Sequence, residues 1–189
     1  MLICGQNAVN RKRRSAANIR AVAFDGYGTL FNFMEPDFIR AMAEICGQQG
    51  IDADAADVWR RFVRASYAFR SEHHHEPLYR RYEDAWAIQF EHVFKQMRVK
   101  GDAWAASMHF KSCLAGAVAF DEVYPVIEAL RPHYRLALLS NADDDFLNEA
   151  LRRNGLEFEI TITSEQVGAI KPDPEIFHHL SRVLEIPPG

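Results

Sequence analysis

Short apolar runs that end in polar residues mark the strands of this chain. Residues 21–24 read Ala-Val-Ala-Phe and stop at Asp25, while residues 135–141 end in a hydroxyl and an amide. A third apolar run covers residues 158–163. Continuous runs of this length are typical of parallel strands that are buried on both faces. We therefore predict three buried strands at these positions.

Helical periodicity dominates the rest of the sequence. Between the first two strands, apolar residues recur every three or four positions in four stretches, which places them on one face of each helix. Asp54 stands where the second of these helices begins, as an N-cap residue should. Further helices are predicted over 123–133, over 143–154 with Gly155 as its C-cap, and from Pro174 to about residue 184.

The order of these elements predicts an α/β fold. Strand, helical insert, helix, strand, helix, strand and helix follow one another, which is typical of a doubly wound, Rossmann-like parallel sheet with right-handed crossovers. The predicted core covers residues 19–32 and 120–189. Residues 33–119 form an inserted, all-helical domain, and residues 1–18 are predicted to be a disordered tail.

Composition excludes several classes of protein. With 189 residues, 48% hydrophobic and 25% charged, the chain resembles an ordinary globular protein that can bury a sizeable core. A net charge of −4 gives no electrostatic reason to bind nucleic acid. No apolar stretch reaches the length of about 18 residues that a membrane span requires, so neither nucleic acid nor membrane is an expected partner.

The cysteines, the basic segment and the run of histidines indicate no functional site. The three cysteines are far apart, which favours reduced thiols in a cytoplasmic protein over a disulfide framework or a zinc site. The basic segment 11–14 is interpreted as part of a disordered extension. His73, His74 and His75 are consecutive and point in different directions, so we interpret them as a solvated loop.

Asp25 is the first candidate for chemistry. Ligands of open α/β sheets bind at the carboxyl ends of the strands, and Asp25 directly follows the first strand. Gly26 and Gly28 let the backbone approach a substrate closely. A carboxylate in this position can act as a covalent nucleophile. Taken alone, the same residues are as typical of a simple turn that ends a strand.

Three motifs together resemble those of the haloacid dehalogenase superfamily of aspartate-nucleophile hydrolases. Residues 25–30 read Asp-Gly-Tyr-Gly-Thr-Leu, Ser140 ends the second strand, and Lys171 lies in a Gly-x-x-Lys-Pro-Asp-Pro-x-x-Phe stretch. Order, spacing and strand context agree over residues 19–189. The resemblance implies a small-molecule substrate, a helical cap that closes over the site, and catalysis through a covalent aspartyl ester.

The resemblance also assigns catalytic roles. Asp25 would attack the substrate, and Lys171 would keep its carboxylate ionised and oriented. Ser140 would bind oxygen atoms on which charge develops. Thr29 matches the family threonine that hydrogen-bonds the nucleophile.

Substrate-binding residues follow from the same comparison. The backbone amides of Gly26 and Tyr27 are candidate donors to the substrate, and Asn141 is a candidate contact at the end of the second strand. Residues 58–60 resemble the Leu-Trp-Arg of the dehalogenase cap, so Arg60 would meet the substrate carboxylate or the halide. A solvated basic face explains Arg60 equally well. The aromatic residues of the insert are interpreted as cap core more than as substrate contacts.

Tyr27 separates two catalytic hypotheses. Phosphatases of the superfamily carry an aspartic acid there, which protonates the departing alkoxide, whereas L-2-haloacid dehalogenases carry tyrosine. A halide leaves without a proton, so the tyrosine favours a dehalogenase without a cofactor. The alternative is a small-molecule phosphatase that binds Mg²⁺ through Asp25.

The end of the sequence raises a third hypothesis. Members of the superfamily continue into a further strand, whose absence would bare the edge of the strand that carries Asp25. We expect either that the 189 residues are a fragment of a longer protein, or that a second copy or another partner covers this edge. A truncated, non-catalytic member that acts as a binding protein is the corresponding alternative function.

Overall fold

The structure of the chain is a computed structural model that describes residues 19–72 and 79–186. The predicted tail, with its basic segment and Cys4, lies outside the described residues. So do the three consecutive histidines at 73–75.

A parallel sheet of three strands forms the centre of the described structure. Strand β1 is Ala21–Phe24, β2 is Arg135–Ser140 and β3 is Ile160–Thr163, in the order β1-β2-β3. Val22 lies opposite Leu136 in the parallel register of β1 and β2. The three predicted strands are therefore confirmed, although β3 begins two residues later than expected.

Burial differs between the strands. Five of the six residues of β2 are buried, in agreement with the prediction. The prediction was wrong for β1, because Ala23 is exposed and the other three residues of that strand are only half-buried. Among the described residues β1 pairs with β2 alone, so it forms the edge of the sheet, as the motif comparison had indicated. An edge strand lacks a neighbour that would cover its outer side.

Four helices form the insertion that follows β1, as their periodicity predicts. They are α1 (Glu35–Gln49), α2 (Ala55–Glu72), α3 (Tyr82–Met97) and α4 (Ala103–Ala115). Asp54 caps α2, since its Oδ1 accepts a hydrogen bond from the Ala56 amide at 3.1 Å. Asp102 caps α4 in the same way, through the amide of Ala105.

The remaining helices cover both faces of the sheet. They are α5 (Val123–Leu130), α6 (Asp144–Asn154), α7 (Ser164–Val167) and α8 (Pro174–Leu184). Ile176 of α8 packs with Leu139 and Ile162 on one face, while Leu138 packs with Leu147 of α6 on the other. Side chains of consecutive strand residues point to opposite faces, so this packing produces the doubly wound arrangement.

Two adjacent backbone segments join the helical insertion to the sheet. The amide of Asn32 donates to the carbonyl of Val118 at 2.8 Å, and the amide of Phe120 donates to the carbonyl of Leu30 at 3.0 Å. The chain therefore leaves and re-enters the core at neighbouring points. No helix within residues 19–72 and 79–186 has the length and apolar character that crossing a bilayer would demand.

Candidate active site

Asp25 lies immediately after β1 with one carboxylate oxygen engaged. Its Oδ1 accepts a hydrogen bond from the amide of Gly26 at 2.8 Å and a second one from the ammonium of Lys171. About half of the Asp25 side chain remains exposed, at 49%. The structure thus joins the first and third sequence motifs, which are separated by 146 positions, in one ion pair.

Lys171 is held from several sides. Its Nζ also donates to the carbonyl of Leu139 at 2.9 Å, on the strand next to β1. Its side chain is 21% exposed, so the charge is partly withdrawn from water. Because the ammonium bridges a strand carbonyl and the carboxylate, its position is fixed relative to Asp25.

Asn141 supports the same lysine through the backbone. Its Oδ1 accepts a hydrogen bond from the Lys171 amide at 2.7 Å, and its Nδ2 donates to the Lys171 carbonyl at 3.1 Å. Sequence reasoning named Asn141 only as a substrate contact and missed this positioning contact. Its place at the carboxyl end of β2 was the available signal, since polar side chains at neighbouring strand ends meet at one edge of a sheet.

The turn after Asp25 brings Gly26 against Ser140. Both residues are buried, and a Cβ atom added to Gly26 would lie only 2.8 Å from the Ser140 Oγ. The carbonyl of Gly26 accepts hydrogen bonds from three following amides, and Gly28 has a positive φ of 82°. Glycine at both positions is therefore required by close approach in one case and by backbone conformation in the other.

Thr29 does not fulfil the role that the motif comparison assigned to it. Its side chain is exposed, and among the described residues its hydroxyl makes no hydrogen bond to Asp25. The positive φ of Gly28 turns the chain so that Leu30 and Phe31 enter the core, and Thr29 is left on the outer side of the turn. Its backbone amide instead closes the turn on Gly26.

Tyr27 belongs to an aromatic cluster. Its ring centroid lies 5.3 Å from that of Phe31 and 6.0 Å from that of Phe146, and its hydroxyl donates to the carbonyl of Leu114 at 3.2 Å. Burial raises the pKa of the Tyr27 phenol far above its usual range. The phenol is thus a half-buried, neutral donor that is already engaged with the backbone.

An apolar cavity of about 310 Å³ opens between the helical insertion and the ends of the strands. Aromatic side chains from α1 to α4 and α6 dominate its wall, and none of its lining residues carries a charge. The lining residues are Tyr27, Phe38, Trp59, Phe62, Val63, Ser66, Tyr67, Tyr82, Trp86, Phe110, Leu114, Asn141 and Phe146. Several aromatics that were interpreted as cap core more than as substrate contacts therefore also form the wall of a cavity.

Arg60 is not part of this cavity. Its guanidinium is 59% exposed and contacts Asp57 at 3.3 Å on its own helix. Val58 and Phe62 face the interior, and two helical positions from Val58 turn Arg60 to the opposite side. Arg60 therefore does not line the cavity, which agrees with the alternative of a solvated basic face, and its contact with a substrate stays a prediction. Trp59 occupies the cavity wall instead.

A second polar network connects the insertion to the core. The fully buried Asp143 accepts hydrogen bonds from the Tyr79 hydroxyl at 2.5 Å and the Tyr82 amide at 2.8 Å. Burial raises the pKa of the Asp143 carboxyl, and these two donors oppose that effect. Arg81 and Lys111 of the insertion also bind Asp145 at 2.8 and 2.6 Å. No local sequence pattern indicates this network, because its members are scattered between separate elements.

Asp25 is the magnesium ligand that the phosphatase hypothesis names. Among residues 19–72 and 79–186, Asp25 is not a member of any group of three or more histidine, cysteine or carboxylate ligand atoms. Magnesium usually keeps several water ligands and binds through one or two carboxylates. Ligation by Asp25 therefore stays a prediction of the phosphatase alternative.

A family model and two characterised relatives point to the same protein family. The model of the haloacid dehalogenase-like hydrolase family matches residues 19–189. Haloacetate dehalogenase H-2 of Moraxella sp. (strain B) is 29% identical over 161 residues, which cover 82% of this chain and 67% of that protein. The (S)-2-haloacid dehalogenase 4A of Burkholderia cepacia is 24% identical over 177 residues, covering 91% of this chain and 72% of the relative.

Solved structures agree on the fold. The crystal structure of a defluorinating L-2-haloacid dehalogenase superimposes with a TM-score of 0.76 at 19% sequence identity. The match covers 91% of this chain and 71% of the other. It supports the α/β architecture with a helical insertion after the first strand.

Proposed function

The chain belongs to the haloacid dehalogenase-like hydrolases, and from this premise we propose that it hydrolyses small 2-haloalkanoates through an aspartyl ester on Asp25. The observation that carries the proposal is the ion pair between Asp25 and Lys171. Tyr27, two positions after Asp25, and Asn141, which binds the backbone of Lys171, both line the apolar cavity. The helical insertion is the cap in this proposal.

Carboxylate geometry identifies the attacking atom. Oδ1 of Asp25 is occupied by Gly26 and Lys171, whereas Oδ2 has no recorded hydrogen bond within the described ranges. Oδ2 attacks the carbon that bears the halogen, the new C–O bond forms, and the halide leaves with the electron pair of the broken bond. Lys171 keeps Asp25 ionised, because an adjacent positive charge favours the charged form of a carboxylate.

Hydrolysis of the ester completes the cycle. A water molecule adds to the carboxyl carbon of Asp25, and cleavage of the ester returns the carboxylate and releases a 2-hydroxy acid and a proton. The oxygen that bears negative charge in this step lies close to the Gly26 amide and Lys171, which already bind Oδ1. Ser140 packs against Gly26 and sets the position of that amide.

The cavity supports a substrate with one apolar part and one charged end. Its wall of aromatic side chains suits an alkyl halide, and its uncharged lining offers no ion pair to a carboxylate. Asn141 lines the cavity and binds the backbone of Lys171, so in this proposal the substrate carboxylate binds at the Asn141 end of the cavity. The names of the relatives refer to haloacetate and to (S)-2-haloacids, and both are compounds of this size and polarity.

The test compares two chemistries on the purified chain. Chloride release from 2-chloropropionate and phosphate release from p-nitrophenyl phosphate are measured with and without magnesium. We expect chloride release that magnesium does not change. Phosphate release that requires magnesium, without chloride release, would replace this proposal by the phosphatase hypothesis.

Isotope labelling tests the covalent step directly. With enzyme in excess over substrate in ¹⁸O-labelled water, the first turnover should place the label in Asp25 and leave the product unlabelled. Asp25→Asn should abolish turnover, whereas Asp84→Asn, at an exposed carboxylate of α3, should leave it unchanged. Label found only in the product after one turnover would exclude the ester.

A further inference from the structure

A mixed cluster of ligand-type side chains lies away from Asp25, where α1 meets α4. Glu44 projects from α1, and His109 and Cys113 project from α4. The last two are four positions apart, so they share one face of the helix. The ligand atoms of all three side chains lie within 4.8 Å of one another.

Distances inside the cluster are close to those of a bound metal ion. Oε2 of Glu44 lies 2.8 Å from Nε2 of His109 and 3.7 Å from Sγ of Cys113. Zinc bonds of about 2.0 to 2.3 Å in a tetrahedron place ligand atoms roughly 3.3 to 3.8 Å apart. Small rotations of exposed and half-exposed side chains bring the three atoms to those separations. The Cys113 thiol donates to Glu44 in the metal-free state, so zinc binding releases its proton.

The surroundings of the cluster favour a cation. Glu44 and Cys113 line a cavity of about 620 Å³ beside the two segments that join the insertion to the core. Four carboxylates and a single guanidinium contribute to its wall, and they belong to Asp37, Glu44, Asp121, Glu122 and Arg40. Negative charge in a concave surface raises the local concentration of cations.

Gln48 completes the arrangement on the far side of the histidine. Its Nε2 lies 3.1 Å from Nδ1 of His109, and rotation of the amide group by 180° brings Oε1 to the same place. In the orientation that presents its oxygen, Gln48 accepts the Nδ1 proton and leaves the Nε2 lone pair directed at Glu44 and Cys113. Histidines that bind metals almost always donate their other ring nitrogen in this way.

We propose that Glu44, His109 and Cys113 form a zinc site that cross-links α1 to α4 in the helical insertion. Sulfur, imidazole and carboxylate ligands together suit zinc, and a water molecule from the cavity takes the fourth position. Cysteine spacing gave no indication of this site, because only one of its ligands is a cysteine. The site is independent of the reaction at Asp25.

Direct metal binding tests the proposal. Tag-free protein is titrated with zinc against a chromophoric chelator, and cobalt is used as the spectroscopic probe. We expect one zinc ion per chain, a thiolate-to-cobalt charge-transfer band, and a rise of Tm on zinc addition. His109→Ala and Cys113→Ser should weaken zinc binding by more than about tenfold, and Gln48→Ala by about tenfold. Cys113→Ser should also remove the charge-transfer band.

Matched variants separate this site from other ligands of the chain. His92 is an exposed histidine of α3 with a glutamine contact, at 2.9 Å from Gln96, but it is not part of the cluster. His92→Ala and Cys46→Ala should therefore retain zinc affinity and the cobalt band. Joint replacement of His73, His74 and His75 by alanine should retain both as well.

Two results would overturn the proposal. One is an absence of zinc binding at micromolar concentrations by folded protein. The other is unchanged zinc affinity and an unchanged cobalt band in His109→Ala and Cys113→Ser. Glu44→Gln provides a further variant at an exposed position, where loss of folding does not obscure the result.

Discussion

The side-chain amide of Asn141 binds the backbone of Lys171 on both sides of its Cα atom. It accepts a hydrogen bond from the lysine amide at 2.7 Å and donates to the lysine carbonyl at 3.1 Å. The pair fixes the loop that carries the lysine to the end of β2. The ammonium then reaches Asp25 from a backbone that is itself held in place.

Removal of this clamp should impair catalysis more than folding. Asn141→Ala deletes two hydrogen bonds of about 1 kcal/mol each, and we expect kcat/KM for 2-chloropropionate to fall by roughly 30-fold. Asn141→Asp keeps the acceptor for the lysine amide, so its kcat/KM should lie between those of the wild type and Asn141→Ala. Steady-state kinetics and thermal unfolding distinguish the effects, with Asn32→Ala as an exposed control. A wild-type value of kcat/KM in Asn141→Ala would show that the two hydrogen bonds have no catalytic consequence.

Two glycine substitutions should have opposite effects on stability. Gly26→Ala places a methyl group 2.8 Å from the Ser140 Oγ, and such overpacking typically costs about 1–3 kcal/mol. Gly47→Ala meets no atom within 4 Å and should stabilise α1 by about 0.5–1 kcal/mol. Urea unfolding measures both. The double variant Gly26→Ala, Ser140→Ala should regain stability, and if it does not, the contact with Ser140 is not the cause.

Tyr27→Phe should leave turnover of 2-chloropropionate within a few-fold of wild type. Burial raises the pKa of the phenol, and its proton is already donated to the Leu114 carbonyl at 3.2 Å, so it is not available to a leaving group. The unfolding free energy should fall by about 0.5–1.5 kcal/mol for the lost hydrogen bond. A loss of turnover of 100-fold or more, which is the scale of acid catalysis, would contradict this assignment.

The pH dependence of stability should contain a contribution from Glu149. Hydrogen bonds from Arg152 and Arg153 lower the pKa of this carboxyl to about 2. A carboxyl group whose pKa is lower in the folded state stabilises the protein above its unfolded pKa of about 4.3, and the contribution is lost as the pH falls towards 2. Glu149→Gln should therefore lower Tm at pH 7 and have progressively less effect below pH 4.

Glu128→Gln is the control for that measurement. Glu128 is exposed on α5, and no ion pair is recorded for it within the described part of the chain. Its replacement should leave the shape of the Tm profile unchanged. A Glu149→Gln profile that runs parallel to wild type from pH 7 to pH 3 would rule out the contribution.

Much of the architecture could be predicted from local sequence patterns. The long helices follow from apolar spacing and from caps such as Asp54, Asp102 and Gly155, because these signals lie within a few residues of the structure they specify. Helix α7 was missed, since four residues are too few to show a helical period. The exposure of Ala23 was missed because burial of a strand depends on its neighbours in the sheet and not on its own composition.

The candidate site was predictable where motifs anchor it and not elsewhere. Asp25 and Lys171 meet because both follow strands of one parallel sheet. The likeness to a cap motif assigned Arg60 to the substrate, whereas the periodicity of Val58 and Phe62 directs it to the opposite side of α2, where the structure places it. The partners of Asn141 and the cluster around His109 depend on contacts between distant elements, for which one sequence carries no local signal.

The two hydrogen bonds between residues 30–32 and 118–120 hold the two ends of the helical insertion together. Its entry and exit lie side by side, so a short reverse turn can span the same gap without displacing either neighbouring strand. Replacement of the insertion by such a turn leaves Asp25, Lys171 and Ser140 in place, because all three belong to the core. Most residues of the cavity wall, in contrast, belong to the insertion and would be removed with it. Because the cavity wall and the Asp25–Lys171 pair lie on separate parts of the chain, we expect that grafting a different insertion between residues 32 and 118 would replace the cavity wall and leave the ion pair in place.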